Sequence, residues 1–184
     1  MKIKLGPING SHIWQMPNYQ DVRGSLRKAF VGGDSGSFPV LFQEIENFFT
    51  YSKMNVFRGM HFQGNPHAVS KIVSIIQGRA TDYLLDLRLD SDTYGNLKIQ
   101  EMDADNPVSI YIPRGVAHGY ISLADNTIMS YKFDGLFCPN CDAGISGEVI
   151  DEYLPIDFST TIRSEKDMNL EDLMKYQYKS SCLE

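Results

Sequence analysis

A cation, a glycine, an imidazole and an amide lie within the six residues from Arg58 to Gln63, between apolar residues typical of strands. Lys71 follows ten positions after His61, inside another apolar run. Burying a lone charge costs free energy unless the charge is paired or used. Because two cations flank His61, we interpret its imidazole as part of a polar pocket inside a β-barrel or sandwich. Arg58 and His61 have opposite parity on a regular strand, so a bend or a partner strand must bring them together.

The other three histidines differ in their surroundings. His118 lies between small residues after the turn at Pro113, which leaves room for another molecule to approach. His12 and His67 have no such context. We interpret these two as packed or exposed imidazoles.

The three cysteines include a Cys-x-x-Cys pair, Cys138 and Cys141. This spacing is found in half of a zinc site and in redox-active dithiols. A zinc site needs further ligands, and Cys182 alone does not supply a second pair. Pro139 and Asn140 favour a loop, whereas a redox pair is expected at the start of a helix. We therefore interpret the pair as two thiols in a turn, with a metal or redox role as the lesser alternative.

The residues from Val56 to Phe133 predict the elements that position these groups. Runs of alternating apolar residues are separated by turn residues at intervals of roughly ten positions. That spacing is typical of an all-β sandwich or barrel. The chain of 184 residues is long enough to bury a core without disulfides or metals. We expect a single domain over residues 1–184.

Shorter strands are predicted before this central section. They occupy parts of residues 1–20 and the stretches from Ser25 to Val31 and from Val40 to Ser52. The last of these stretches is rich in β-branched and aromatic residues. Residues 32–37 are rich in glycine and serine. They predict an ordinary surface loop, with a mobile lid as the alternative.

The last part of the chain, residues 136–184, predicts an irregular and partly helical segment. Residues 164–167 predict a turn or a helix. Residues 169–174 predict a short helix, with Asn169 as its cap and acidic residues in its first turn.

Composition excludes several classes of protein. The net charge of −6 at pH 7 weighs against nucleic-acid binding. No run of about 18 apolar residues is present, so we expect no membrane span. The N-terminus has no apolar signal core. We therefore expect a cytoplasmic protein with no nucleic-acid or membrane partner.

The segment from Val56 to Gln63 resembles the xLRGLHYQ motif of the dTDP-4-dehydrorhamnose 3,5-epimerases, sugar-nucleotide epimerases of the cupin fold. Further segments resemble the family's motifs in the same order and at consistent spacing. They are residues 21–24, 66–73, 82–88, 91–95, 112–120, 131–132 and 163–167. The resemblance therefore covers nearly the whole chain, and it implies a cupin-type jelly roll with a short C-terminal helix.

The resemblance also implies a reaction. The family removes a proton next to the ketone of a nucleoside-diphosphate 4-keto-6-deoxy sugar, and a proton returns on the opposite face. His61 would be the base, oriented by Asp167, and Tyr131 would be the acid. Lys71 would place a positive charge beside the carbonyl oxygen of the substrate. No cofactor is implied, because the ketone supplies the acidity.

Substrate-binding residues follow from the same resemblance. Arg58 and His118 would form a polar pocket floor, with Asp82 as a further member, and Arg23 would contact the diphosphate. Two positions after the predicted base stands Gln63 rather than a second histidine. We therefore expect no metal at this site.

Departures from the family's pattern fall at positions that contact the substrate. Phe137 replaces an aromatic residue with a hydroxyl six positions after the predicted acid, and Lys28 replaces a glutamate. The polar segment that contacts the nucleotide in the family reads here as Glu46, Phe48, Thr50 and Ser52. The nucleotide, the sugar, and the inversion of one or both carbons therefore stay open.

Two other functions fit the same residues. A related cupin isomerase would move the keto group between carbons with similar acid–base groups, and product analysis would separate it from an epimerase. A non-catalytic sugar-nucleotide-binding or scaffold protein would share the fold. The retention of His61, Lys71, Tyr131 and Asp167 argues against this last alternative.

The family forms homodimers in which an N-terminal strand is exchanged between subunits. Residues 1–20 are apolar and strand-like enough for such an exchange. We therefore expect a homodimer, with strands from within residues 1–52 exchanged.

Overall fold

The computed structural model describes residues 3–29 and 41–176. The described chain is built mainly from strands, and the prediction of an all-β fold is confirmed. These strands are β1 (Lys4–Leu5), β2 (His12–Gln15), β3 (Asn18–Asp21), β4 (Gly24–Arg27), β5 (Glu46–Ser52), β6 (Phe57–Gln63), β7 (Lys71–Gln77), β8 (Arg79–Asp86), β9 (Asn96–Asp103), β10 (Val108–Ile112), β11 (Val116–Ser122), β12 (Thr127–Phe133) and β13 (Asp142–Gly144). A short helix, α1 (Glu165–Met168), follows two 3₁₀ segments, Gly147–Tyr153 and Phe158–Thr160.

Two sheets face each other and form a jelly roll. One sheet has the strand order β1-β9-β8-β11-β6-β13, and the other has the order β2-β10-β7-β12-β5. Strands β3 and β4 form a separate hairpin. Neighbouring strands in each sheet are often distant in sequence, as in the jelly rolls of cupins.

The space between the sheets is filled by apolar side chains at alternate positions. Val73 and Ile110 from one sheet meet Leu84 and Tyr120 from the other. The opposite face of the six-stranded sheet is also buried, because the C-terminal segment packs on it. Leu85, next to Leu84 on β8, therefore points into this second core, as strand alternation requires.

Several predicted boundaries need correction. The strand predicted from Ser25 to Val31 is β4, which ends at Arg27, and residues 30 and 31 lie outside the described part of the chain. The strand predicted from Val40 to Ser52 is β5, which starts only at Glu46. Residues 41–45 precede it and form no strand. The predicted loop at residues 32–37 also lies outside the described residues.

The start of the helix predicted at residues 169–174 was wrong. Ser164 caps α1 by accepting a hydrogen bond from the backbone N–H of Asp167, so of the turn or helix predicted at residues 164–167 the structure has the helix. Asn169 ends this helix rather than starting the next one. The chain becomes helical again at residue 173, where Asp172 accepts the backbone N–H of Lys175 at 2.9 Å. Asn169 and Asp172 are both residue types that cap helices, so their types alone do not show which of them starts the second one.

Within the described residues, no helix has the length and apolar character needed to cross a membrane.

Candidate active site

The polar groups of the predicted site lie inside the jelly roll, on the same strand faces as core residues. Lys71 is two positions from the core residue Val73, and Tyr131 is two positions from Met129. Because side chains alternate along a strand, these residues share the inward face. One end of the interior is therefore apolar and the other is polar.

A cavity of about 250 Å³ brings together the predicted catalytic residues and the predicted floor residues Arg58 and His118, whereas Asp82 does not line it. Strands β6, β7, β11 and β12 and helix α1 each supply at least one of these residues. The cavity is lined by Phe48, Thr50, Arg58, His61, Lys71, His118, Tyr131, Phe133, Ser164, Lys166 and Asp167.

An irregularity in β6 explains how Arg58 and His61 share this cavity. His118 pairs with His61 and Tyr120 pairs with Arg58, so two steps along β11 match three steps along β6. The extra residue on β6 is a bulge, which shifts the alternation by one position. Gly59 lies in this stretch with a φ of +137°.

His61 and Asp167 form a hydrogen-bonded pair. Their Nε2 and Oδ1 atoms are 2.8 Å apart, and the Asp167 side chain is only 6% exposed. Helix α1 fixes the aspartate, because Ser164 caps it at the backbone N–H of Asp167. The other ring nitrogen of His61 is buried without a hydrogen-bond partner in the described chain. An imidazole held by a carboxylate on one side can take up a proton on the other.

Lys71 is buried directly beside this pair. Its Nζ donates a hydrogen bond to the backbone carbonyl of His61 at 3.0 Å. Burial lowers the pKa of Lys71 to about 8, and the charges of Asp82 and Asp142 oppose that shift. The ammonium is therefore charged at neutral pH, but it loses its proton far more readily than an exposed lysine.

His118 and Asp82 form a second buried pair, with Nε2 and Oδ1 2.9 Å apart. Burial lowers the pKa of His118, and the nearby Asp82 carboxylate opposes this. The second carboxylate oxygen of Asp82 is buried and has no hydrogen-bond partner among the described residues. The pair therefore places a buried carboxylate under the cavity.

Tyr131 lies between aromatic rings. Its ring stacks on Phe48 with centroids 5.0 Å apart, and the ring of His118 lies 5.9 Å away. Burial raises the pKa of Tyr131 well above its usual value, whereas Arg58 and a hydrogen bond with Thr50 lower it. The phenol is thus protonated at neutral pH and can act as a proton donor.

Arg58 is held by the polar segment of β5. Its Nε donates to Ser52 Oγ at 3.1 Å, and its Nη2 donates to the carbonyl of Tyr51 at 3.2 Å. Thr50 and Ser52 each lie 2.8 Å from the hydroxyl of Tyr120. The β5 residues predicted from the family pattern therefore support the guanidinium from the adjacent sheet.

An adjoining cavity of about 370 Å³ contains the predicted residues Glu46, Gln63 and Phe137, and it shares His61 and Lys71 with the first. Phe137 is 54% exposed, and its backbone N–H donates to Glu46 at 3.1 Å. Their roles as substrate contacts stay predictions.

The amide of Gln63 binds the backbone of nearby loops. It donates to the carbonyls of His67 and Leu136 and accepts the N–H of Cys138 at 2.9 Å. This bonding indicates a structural role, and its predicted contact with substrate stays a prediction.

Arg23 and Lys28 are not in either cavity. They lie at the β3–β4 hairpin, where Arg23 pairs with Asp21 at 2.6 Å and Lys28 lies over the ring of Tyr19, 5.9 Å from its centroid. Arg23 is exposed to the extent of 87%. Their predicted contacts with substrate could be made only from another subunit or after movement of the hairpin.

Phe133, Ser164 and Lys166 line the cavity although they were not predicted as site residues. Phe133 lies two positions after Tyr131 on β12, and the other two lie close to Asp167, at the start of α1 and within it. Strand alternation could have suggested Phe133, but the position of α1 depends on tertiary packing.

The model of the dTDP-4-dehydrorhamnose 3,5-epimerase family matches residues 6–175. The chain belongs to this family. As a member of the dTDP-4-dehydrorhamnose 3,5-epimerase family, it is an isomerase of the epimerase type. The expected cupin jelly roll is therefore confirmed together with the family.

Individual members of the dTDP-4-dehydrorhamnose 3,5-epimerase family show the extent of the similarity. The Methanothermobacter thermautotrophicus enzyme of that name is 33% identical over 174 residues, covering 90% of this chain and 91% of its own. A crystal structure of the Bacillus anthracis enzyme with TDP and pyrophosphate bound has a TM-score of 0.81 and 29% identity, covering 92% of this chain and 99% of its own. A dTDP-4-dehydrorhamnose 3-epimerase from Streptomyces niveus is 30% identical over 109 residues, or 59% of this chain and 52% of its own.

Proposed function

We propose that this protein inverts carbon 3, carbon 5 or both of a nucleoside-diphosphate 4-keto-6-deoxy sugar. The observation that carries the proposal is the cavity in which the His61–Asp167 pair, Lys71 and Tyr131 meet. A base, a fixed positive charge and a protonated phenol are the groups that epimerisation next to a ketone needs.

The proposed reaction proceeds through an enolate. His61 removes the proton from the carbon next to the ketone, and Asp167 stabilises the resulting imidazolium. Lys71 stabilises the negative charge that develops on the carbonyl oxygen. Tyr131 then donates its phenolic proton to the opposite face of the same carbon, which inverts it. No electron acceptor is needed, because the substrate and product are isomers.

A nucleoside diphosphate is the proposed carrier of the sugar. The names of the relatives specify dTDP sugars, and the Bacillus anthracis protein holds TDP and pyrophosphate. Arg58 supplies a guanidinium at the cavity, and Arg23 is the proposed diphosphate contact. Lys28, Glu46 and Gln63 are proposed as further substrate contacts. The nucleobase of the substrate stays unassigned, because Lys28 stands where the family pattern has a glutamate and so reverses the charge.

Inversion of a single carbon is favoured by one residue. Phe137 offers no hydroxyl at a position where the family usually has one. The Streptomyces niveus relative is a 3-epimerase by name. A ketoisomerase of the same fold and a non-catalytic sugar-nucleotide-binding protein are the alternatives that the experiment below separates.

The proposed assembly is a homodimer with exchanged N-terminal strands. The β3–β4 hairpin carries exposed apolar side chains, with Tyr19 58% and Leu26 57% exposed. A partner subunit would bury them and would bring Arg23 to a cavity. A monomer in light scattering at micromolar concentration would contradict this. A cytoplasmic location stays a prediction.

Proton exchange tests the function directly. The protein is incubated in heavy water with several nucleoside-diphosphate 4-keto-6-deoxy sugars, and the ring protons are followed by NMR. Exchange with inversion at one carbon indicates a single-site epimerase, and at two carbons a 3,5-epimerase. Exchange should vanish in His61→Ala and persist in the matched control His12→Ala.

Each alternative has its own signature in this experiment. A 3-keto product would identify the ketoisomerase. Saturable binding without exchange would support the binding protein. Exchange that survives His61→Ala would show that another group is the base.

A further inference from the structure

His67, Cys138 and Cys141 meet at a site that the proposed reaction does not use. One potential ligand atom from each residue lies within 4.8 Å of those from the other two. The two sulfurs are 3.1 Å apart, and both cysteines are free thiols. His67 is about seventy positions before the cysteines in sequence, so strand pairing creates the cluster.

The backbone around the cluster is fixed from both sides. Strand β13 pairs with the end of β6, and Gly64 donates its N–H to the carbonyl of Cys141 at 2.8 Å. Cys141 in turn donates its N–H to the carbonyl of Cys138 at 3.0 Å, closing the turn between the thiols. The amide of Gln63 binds the backbone of both His67 and Cys138. The backbone of all three residues is therefore held in place by hydrogen bonds.

The spacing suits a tetrahedral metal ion. Zinc bonds to sulfur at about 2.3 Å and to imidazole nitrogen at about 2.0–2.1 Å, which places ligand atoms roughly 3.5–3.8 Å apart. The separations here, 3.1 Å between the sulfurs and at most 4.8 Å overall, bracket those values. Small side-chain rotations are enough to reach them.

We propose that His67, Cys138 and Cys141 bind one Zn²⁺ ion. Two thiolates and a neutral imidazole balance the charge of the ion. Thiolate and imidazole ligands select zinc over Mg²⁺ or Ca²⁺, which prefer oxygen. His67 is exposed and both cysteines are partly exposed, so a water molecule can occupy the fourth position.

Metal binding would connect two loops that border the proposed substrate cavity. Cys138 directly follows Phe137 in the chain, and Phe137 lines the adjoining cavity with Gln63. The ion would attach this loop to the segment after β6. Zinc is therefore assigned to stability and loop order, and the epimerisation chemistry does not depend on it.

The first test uses the wild-type full chain, reduced and stripped of metal with a chelator. Addition of Co²⁺ should give the thiolate-to-cobalt charge-transfer band and the strong visible bands of tetrahedral coordination. Zn²⁺ should displace the cobalt at one ion per chain. It should also protect Cys138 and Cys141 from alkylation, with Cys182 in the same molecule as the internal control, because Cys182 is not one of the three proposed ligands. Equal alkylation rates with and without Zn²⁺ would overturn the proposal.

Variants then test each ligand. Cys138→Ser and His67→Ala should weaken zinc binding by more than the roughly 10- to 100-fold that loss of an outer-shell partner costs. Cys182→Ser and His12→Ala should leave it unchanged. At a zinc concentration about 100 times Kd, the melting temperature of the wild type should rise by roughly 5 to 10 °C. That rise should be absent in Cys138→Ser and His67→Ala.

Two results would contradict the site. Unchanged zinc affinity in His67→Ala would show that His67 is not a ligand of the ion. A reduced protein that binds no zinc but forms a Cys138–Cys141 disulfide in air would identify the pair as a dithiol instead. Neither result would affect the proposed epimerisation, which proton exchange measures separately.

Discussion

Burial sets the protonation states of the charged and phenolic groups around His61. It lowers the pKa of Lys71 and of His118, and it raises that of Tyr131. In each case the low polarity of the interior disfavours the charged form. The cavity thus presents one ammonium that loses its proton in mild alkali and one phenol that keeps its proton there.

The proposed role of Lys71 predicts a loss of activity in mild alkali. The pKa of Lys71 is about 8, so its positive charge disappears as the pH rises through that value. The rate of proton exchange at saturating substrate should fall above about pH 8, and Lys71→Met should be nearly inactive at every pH. A rate that stays constant to about pH 10, with circular dichroism showing an intact fold, would remove Lys71 from the mechanism.

The same shift predicts a change in stability of opposite sense. The pKa of Lys71 is about 8 in the folded protein and 10.5 for an ordinary lysine, so between these values the unfolded chain binds the extra proton. The free energy of unfolding should therefore gain about 3 kcal/mol from this group as pH rises through that window. Urea titrations at the lower and upper pH of this window should show the gain in the wild type, and the gain should be absent in Lys71→Met.

Tyr131→Phe separates proton removal from inversion. The base is retained, so deuterium can still exchange from the original face, but the acid on the other face is lost. Formation of the inverted product should fall by about 10²- to 10⁴-fold. Tyr83→Phe is the matched control, because Tyr83 donates its hydroxyl to the carbonyl of Tyr153 outside the cavity. Full inversion by Tyr131→Phe would require a different acid.

At the scale of elements, the bulge in β6 decides the composition of the site. Phe57 and Phe62 point into the second core, between the six-stranded sheet and the C-terminal segment, whereas Arg58 and His61 point into the cavity. A regular strand would have placed one of the two polar side chains in that second core. Gly59 permits the bulge, because its backbone lies against Gly119 on β11.

Gly59→Ala should therefore destabilise the protein. A Cβ at this position would lie 2.5 Å from the Cα of Gly119, and φ is +137°. Gly24 has a similar φ of +120°, but a Cβ added there would have no other atom within 4 Å, so Gly24→Ala is a matched control for backbone strain alone. We expect Gly24→Ala to cost about 1–3 kcal/mol and Gly59→Ala to cost more. Urea denaturation measures both losses of unfolding free energy. Equal losses in the two variants would show that β11 can move away from the added methyl group without further cost.

At the scale of the whole molecule, the site of one chain lacks Arg23 and Lys28. Both lie on the hairpin whose apolar side chains are exposed. The proposed exchange of N-terminal strands would supply them from a partner.

Subunit mixing tests this exchange. His61→Ala and Arg23→Ala are each expected to be impaired alone. If Arg23 acts in the partner's site, an equal mixture that is dissociated and reassembled should recover about a quarter of wild-type sites, because half of the dimers are mixed and each holds one intact site. No recovery in a mixture shown to contain mixed dimers would place Arg23 in the site of its own chain.

The amino-acid sequence alone was enough to predict the all-β class, the family and most of the polar residues that line the cavity, but not Ser164 or Lys166. Alternation along strands and turn residues between them are local signals, and the spacing from Arg58 to Lys71 is a property of the chain itself. These signals could not place boundaries such as the start of the helix after Asp172. Asn169 and Asp172 are both residue types that cap helices, so their types do not show which one starts the helix.

Which distant residues meet depends on the tertiary structure. The bulge between β6 and β11 joins Arg58 to His61, and the pairing of β13 with β6 brings His67 to the cysteines. Such contacts depend on which strands pair and in which register, because a one-residue shift would move every side chain of a strand to the other face of its sheet. For the same reason, the distance of Arg23 from the cavity became visible only in the folded chain.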